Sequence, residues 1–130
     1  MAGSATTYRK ERLNSVIEKL IFSFTSDDGT GAIASAITVG PVNGYITKVV
    51  TNPGSTAPTD NYGITLSDSD GCDVLGGAGS NRDTVNSEHL TPLVGGAYIP
   101  CRVDSVLTFA ATGNSVNDAT GEVIVYVDKG

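Results

Sequence analysis

Residues that commonly carry out chemistry are scarce in this chain. Its 130 residues include one histidine (His89), two cysteines and no tryptophan, and aromatic residues make up only 6% of the total. Acid–base and nucleophilic catalysis draw mainly on histidine, cysteine and their hydrogen-bonded partners, and a metal centre built on imidazole needs several histidines. The composition excludes a multi-histidine metal site. It predicts a protein that is not an enzyme, with no catalytic, cofactor-binding or metal-binding residues.

Long apolar segments are also lacking. No run approaches the ~20 apolar residues that cross a bilayer, and the N-terminal sequence MAGSATTYRKERLNS contains no apolar block after its basic residues. We therefore expect neither a membrane span nor a signal peptide, and synthesis in a reducing cytoplasm. There Cys72 and Cys101 are expected to be small buried apolar residues rather than a disulfide or part of a zinc site.

Basic residues are few and unevenly placed. The net charge is −6; residues 1–19 hold four basic and two acidic side chains, whereas residues 20–130 hold four basic and twelve acidic ones. An acidic body repels phosphate backbones, so direct binding of nucleic acid is not expected. The basic segment has two interpretations, an ordinary solvated tail or a contact with an acidic partner surface.

The chain is rich in the residues of a β protein, with 16 glycines and short runs of Val, Ile, Thr and Ala between turns. Alternation with period two predicts strands over residues 20–25, 33–39, 45–51, 62–66, 72–75, 90–103, 106–111 and 122–127. Asp70-Gly71 is typical of a hairpin tip and joins the fourth and fifth of these strands. The sequence GPVNG at residues 40–44 predicts a turn that separates the second strand from the third.

A chain of this length fits one domain. About seven to eight short strands with turns between them predict an all-β fold, an antiparallel β-sandwich or jelly-roll with an N-terminal arm. We place the arm at residues 1–18 and a single β-sandwich domain at residues 19–130. The arm is either a short helix over residues 8–13 or an extended segment that reaches up to about 60 Å, to a neighbouring subunit.

Two groups of side chains are candidate sites, the aspartates within residues 68–73 and the pair Glu88-His89. Asp68, Asp70 and Asp73 offer oxygen ligands of the kind calcium prefers, but the spacing of an EF-hand is absent, and a solvated hairpin tip explains the same residues. His89 beside Glu88 is a candidate general base. The sequence has no serine or cysteine in an elbow motif such as G-x-S-x-G that could be the nucleophile for this base. We therefore expect His89 to be a surface or interface histidine.

Arg82, within residues 81–84 (NRDT), is a candidate interface residue. Its planar guanidinium suits a carboxylate on a partner, and equally suits Asp83 or Glu88 of its own loop. The glycine pairs at residues 76–77 and 95–96 lack the lysine of a phosphate-binding loop, so they are expected to serve backbone geometry.

Three segments resemble the small virion structural proteins of tailed bacteriophages: residues 44–54 (GYITKVVTNPG), 62–68 (YGITLSD) and 121–127 (GEVIVYV). The resemblance implies a jelly-roll or sandwich subunit present in many copies on the capsid, as a decoration or cement protein that bridges capsid subunits and stabilises the head. The implied partners are the major capsid protein and other copies of the chain, in a dimer or trimer. The implied location is the virion capsid, after synthesis in the host cytoplasm, and no catalytic residues carry over.

Two other functions remain open. The same fold suits a tail, tail-tip or head–tail junction protein of the virion. A carbohydrate-binding β-sandwich is the third candidate, because such modules stack sugar rings on exposed aromatic side chains, for which Tyr62 and Tyr98 are available.

Overall fold

The protein is an all-β structure, as the sequence predicts. The computed structural model describes residues 5–26, 29, 31, 33, 37–56, 58, 62–79, 82, 87–112 and 114–129. These residues contain no helix, and their strands are β1 (Ala5–Arg12), β2 (Ile17–Thr25), β3 (Ile37–Pro53), β4 (Gly63–Ser67), β5 (Glu88–Leu90), β6 (Leu93–Val94), β7 (Ala97–Tyr98), β8 (Cys101–Thr112) and β9 (Thr120–Asp128).

All strand pairs are antiparallel, which is consistent with a β-sandwich. The strand β2 pairs with β9, the first half of β3 with β8, and the second half of β3 with β5, all antiparallel. Further pairs join β1 to β2, β9 to β3 and β4 to β8. These strands form one continuous seven-stranded sheet in the order β1-β2-β9-β3-β8-β4, with β5 beside β3. Because Phe22 of β2 stacks on Phe109 of β8, the part β1-β2-β9 faces the part β8-β4 as two layers joined through β3.

The long strand β3 corrects the predicted turn at residues 40–44. The backbone does not reverse there, because Val39 pairs with Leu107 and Val42 with Ser105 on either side of a register shift in the ladder with β8. A β-bulge bends a strand without ending its pairing. Here β3 stays paired with β8 on both sides of the bulge, up to Ile46, and its pairing with β9 begins at Tyr45, so the strand links the two layers beyond the bulge.

The core lies between the two layers and is built from alternating side chains. In β9, buried and partly exposed residues alternate along the whole strand, and Val123, Val125 and Val127 point inward. Phe22 of β2 stacks on Phe109 of β8, with ring centroids 4.6 Å apart and planes inclined by 10°. This stack joins the two layers at the centre of the molecule.

A buried hydroxyl closes one end of the core. Ser26 Oγ donates to the carbonyl oxygen of Val116 at 2.6 Å and accepts the N–H of Ala119 at 2.8 Å. Buried polar groups are tolerated when both donor and acceptor capacity is used. The end of β2 is thereby tied to the loop that leads into β9.

The N-terminal segment is extended, and the helix considered over residues 8–13 is wrong. Residues 5–12 form β1, which pairs with β2 along its full length, from Ala5 opposite Thr25 to Arg12 opposite Glu18. Opposite charges face each other in this register, with Lys19 Nζ 3.9 Å from Glu11 Oε1. Cross-strand pairing of this kind outweighs the weak helical signal of a short polar segment.

The link between β1 and β2 is a compact turn. Asn14 Oδ1 accepts the backbone N–H groups of Val16 and Ile17 at 2.9 and 2.8 Å, and the N–H of Leu13 bonds the carbonyl of Ile17. The predicted boundary at residue 18 thus falls inside β2. Whether residues 1–18 leave the body in an assembly stays a prediction.

Three smaller expectations are corrected. The single strand predicted over residues 90–103 is divided among β5, β6, β7 and the start of β8, because the chain reverses at Gly95-Gly96. Residues 72–75 do not form the second strand of a hairpin; after a single bridge between Ser67 and Asp73 the chain continues through turns. Cys72 is exposed and Cys101 is half-buried, and both thiols are free, so Cys72 is not a core residue. The last two corrections follow from a turn over residues 68–77 whose backbone N–H groups are bound by the carboxylates of Asp68 and Asp73.

Candidate functional site

The acidic cluster is a set of turn caps. Asp68 Oδ1 accepts the N–H groups of Asp70 and Cys72, each at 3.0 Å. The Asp73 carboxylate binds a different set of donors, the N–H groups of Leu66 and Leu75 at 3.1 Å and of Gly77 at 3.0 Å. Carboxylates engaged in this way satisfy backbone donors of the turn.

The three carboxylates do not converge on one point. Asp68 and Asp70 line a shallow hollow together with Asp104 and Arg102, whose guanidinium lies 2.7 Å from the Asp104 carboxylate. The hydrogen bond from Arg102 lowers the pKa of Asp104. Among the described residues no group of three or more ligating side chains could hold a metal ion.

Glu88 and His89 point to opposite sides of β5, because successive residues of a strand alternate. Glu88 Oε1 lies 3.4 Å from Arg82 Nη1, which is one of the two pairings considered for Arg82 within its own loop. His89 is exposed and lines a groove in which the described hydroxyl groups belong to Thr47, Thr91 and Tyr98. Asn81, Asp83 and Thr84 lie outside the described residues.

That groove, which we call the Tyr98 groove, has a volume of about 500 Å³. It lies where the second half of β3, β5 and the β6–β7 hairpin meet. Its polar lining comes from Thr47, Lys48, Arg82, His89, Thr91 and Tyr98. Sequence reasoning named Arg82, His89 and Tyr98 separately, and only the fold brings them together with Lys48.

The hairpin β6–β7 stands outside the main sheet. Its tip is Gly95-Gly96, with φ values of 58° and 86°, the positive angles that a tight two-residue hairpin turn requires and that glycine adopts at no steric cost. Leu93 N–H bonds the carbonyl of Leu75 at 3.0 Å and fixes the hairpin to the body.

The two sides of the hairpin differ. Leu93 pairs with Tyr98 and Val94 with Ala97, so Tyr98 lies on the groove side and Val94 and Ala97 lie on the other. Because the N–H of Ile99 bonds the carbonyl of Pro92, the ladder continues and Ile99 shares the side of Ala97. We call Val94, Ala97 and Ile99 the hairpin face; Val94 is 38% exposed and Ile99 45%.

The structure separates the two candidate sugar-stacking tyrosines. Tyr98 is 70% exposed, whereas Tyr62 is fully buried beside Phe24, so the expectation for Tyr62 is wrong. Burial raises the pKa of Tyr62 from 10.0 to about 12, while Arg82 lowers it and Glu88 raises it by smaller amounts. The Tyr62 hydroxyl has no hydrogen-bond partner among the described residues.

The raised pKa of Tyr62 predicts that the folded protein loses stability at alkaline pH. The folded protein keeps the Tyr62 proton up to about pH 12, whereas the unfolded chain releases it near pH 10, so unfolding becomes easier as pH rises between the two values. The free energy of unfolding should fall by about 3 kcal/mol in total across this window. Chemical denaturation at pH 9, 10, 11 and 12 measures it.

Tyr62→Phe is the matched control for that titration. It removes the ionisable group and leaves no polar atom unpaired, so the variant should match the parent at pH 7 and lose less stability in alkali. An identical alkaline decline in both proteins would contradict the assignment to Tyr62.

Comparison with protein-family models, with curated proteins and with solved structures gives no match to this chain. No helix in the described part of the chain is long and apolar enough to cross a membrane.

Proposed function

We propose that this chain is a non-enzymatic structural protein of a phage virion, a capsid decoration or cement protein that bridges subunits of the major capsid protein. The observation that carries the proposal is the hairpin face. Three apolar residues, Val94, Ala97 and Ile99, are exposed together on a two-stranded ribbon that projects from the main sheet. An isolated hairpin is marginally stable in water, and burial of its apolar side against a partner stabilises it.

The edge strand β1 supplies a second contact surface. Among the described strands it pairs only with β2, and its outer edge carries the charged run Arg9, Lys10, Glu11 and Arg12. Charges on an edge prevent uncontrolled strand pairing before assembly. The same basic run, on an otherwise acidic body, complements an acidic patch on a capsid subunit.

The resemblance to phage virion proteins supports this choice of partner. Its three segments fall mainly in β3, β4 and β9, the strands that build the two layers, and jelly-rolls are frequent in capsid and lectin domains. Fold alone does not decide function. The hairpin face and β1 are the features that favour docking, and many copies on one shell add weak contacts into avidity.

The test is an inventory of purified particles of a phage that encodes this chain. Quantitative mass spectrometry should find it in many copies per particle, and cryo-electron microscopy should place it on the outer shell, in contact with the major capsid protein. Absence from the shell, or a handful of copies at the tail, would rule out the decoration role.

The hairpin face makes the proposal specific. Val94→Ser combined with Ile99→Ser removes roughly 1 kcal/mol or more of apolar burial at each site, so binding to undecorated capsids should weaken at least about tenfold. Val106→Ser is the control, since Val106 is also 38% exposed but lies on β8, away from the hairpin. Equal weakening by both variants would show that the hairpin face is not the docking surface.

A further inference from the structure

The Tyr98 groove concentrates positive charge on an acidic protein. Residues 20–130 contain four basic residues and one histidine; two of the four, Lys48 and Arg82, meet His89 in this groove. No carboxylate is among the described lining residues, and the nearby Glu88 is engaged with Arg82. Because Glu88 balances the charge of Arg82, Lys48 supplies the net positive charge of the lining, and a concave site with such a cation favours an anionic ligand.

The groove is also shaped for a small polar molecule. Its volume of about 500 Å³ is within the range of small-ligand sites, about 300–1,000 Å³. Thr47, Thr91 and His89 contribute hydrogen-bonding groups to its lining, and the exposed ring of Tyr98 also lines it. A flat aromatic ring with a polar edge, next to hydroxyl and imidazole groups, suits a sugar ring.

The elements that carry these side chains are held in place. Lys48 Nζ lies 4.4 Å from the centroid of the Tyr126 ring, a cation–π contact that restrains the lysine side chain. Gly76 passes so close to the hairpin that a side chain there would collide with the carbonyl oxygen of Leu93. This close approach, with the Leu93–Leu75 hydrogen bond, fixes the side of the hairpin that bears Tyr98.

We infer that the Tyr98 groove binds an acidic saccharide, a sugar unit that carries a carboxylate. Tyr98 stacks on the sugar ring, Lys48 pairs with the carboxylate, and Thr47, Thr91 and His89 bond the hydroxyl groups. The side chain of Tyr98 is on the opposite side of the hairpin from Val94 and Ala97. The inference is therefore independent of the proposed capsid contact, and either can fail alone.

The test compares three probes that separate charge from sugar: methyl β-D-glucuronide, methyl β-D-glucoside and acetate. Titration followed by NMR chemical shifts should give millimolar binding of the glucuronide, at least fivefold weaker binding of the glucoside, and no saturable binding of acetate. Equal binding of the two glycosides would overturn the charge argument. Saturable acetate binding as tight as that of the glucuronide would overturn the sugar site.

Two variants and two controls locate the site. Tyr98→Ala should weaken glucuronide binding at least fivefold, and Lys48→Gln should abolish the preference for glucuronide over glucoside. Tyr45→Ala and Lys129→Gln are the controls, since Tyr45 is an exposed tyrosine and Lys129 an exposed lysine outside the groove lining. If neither glycoside binds while Tyr98→Ala and Lys48→Gln reduce capsid binding, the groove is a protein contact and the inference is wrong.

Discussion

Replacement of Phe22 by alanine is expected to lower the free energy of unfolding by about 3–5 kcal/mol. Phe22 has no exposed surface and lies in the stack that joins β2 to β8, with a second ring contact to Tyr8 at 5.2 Å. Urea denaturation followed by circular dichroism measures the loss.

A double-mutant cycle sharpens this prediction. Phe109→Ala should cost a similar amount, and the two substitutions together should cost less than their sum, because the second removes a ring whose partner is already gone. The stacking contribution is expected to be about 0.5–1.5 kcal/mol beyond burial. Strict additivity would show that the two rings are not energetically coupled.

Removal of residues 1–16 is expected to destabilise the protein by at least about 2 kcal/mol, since net backbone hydrogen bonds contribute about 1 kcal/mol each before the ordering entropy of β1 is subtracted. The truncation removes every pairing of β1 with β2 and the contact of Tyr8 with Phe22. It also turns β2 into an exposed edge with alternating apolar residues, which favours aggregation.

Two measurements decide this prediction. Thermal unfolding gives the stability, and light scattering during the same scan reports aggregation. Tyr8→Ala in the full chain is the control, because it removes the ring and keeps the strand, and it should cause only part of the loss. A truncated chain as stable and soluble as the full one would identify residues 1–16 as a detachable arm.

Strands with one buried face could be predicted from the sequence. In β2, β4 and β9 apolar residues recur at every second position, because the side chains that face the core must be apolar. This period of two can be seen in the sequence of each strand by itself. The Asp-Gly turn at residues 70–71 is local in the same sense. The hairpin at Gly95-Gly96 was not predicted, because residues 90–103 were expected to form one strand and the glycine pair only to serve backbone geometry. The antiparallel, sandwich-like arrangement agrees with the fold class predicted from those strands.

The strands that were mispredicted depend on distant partners. Residues 40–44 have turn chemistry, yet pairing with β8, about sixty residues further along the chain, keeps them extended. Residues 5–12 are polar and become a strand because β2 offers an edge with complementary charges. Residues 72–75 alternate like a strand, but Asp73 takes the backbone donors that a second strand would have used.

For the candidate sites, too, some features are known from the sequence and others only from the tertiary structure. The counts of histidine, cysteine and charged residues are known from the sequence alone, because they do not depend on folding. Two tyrosines that look alike in sequence were separated only by tertiary structure, since Tyr62 enters the core and Tyr98 stands on a projecting hairpin. The grouping of Lys48, Arg82 and His89 also required the fold, because residues far apart in the chain share one groove only when the sheet places them there.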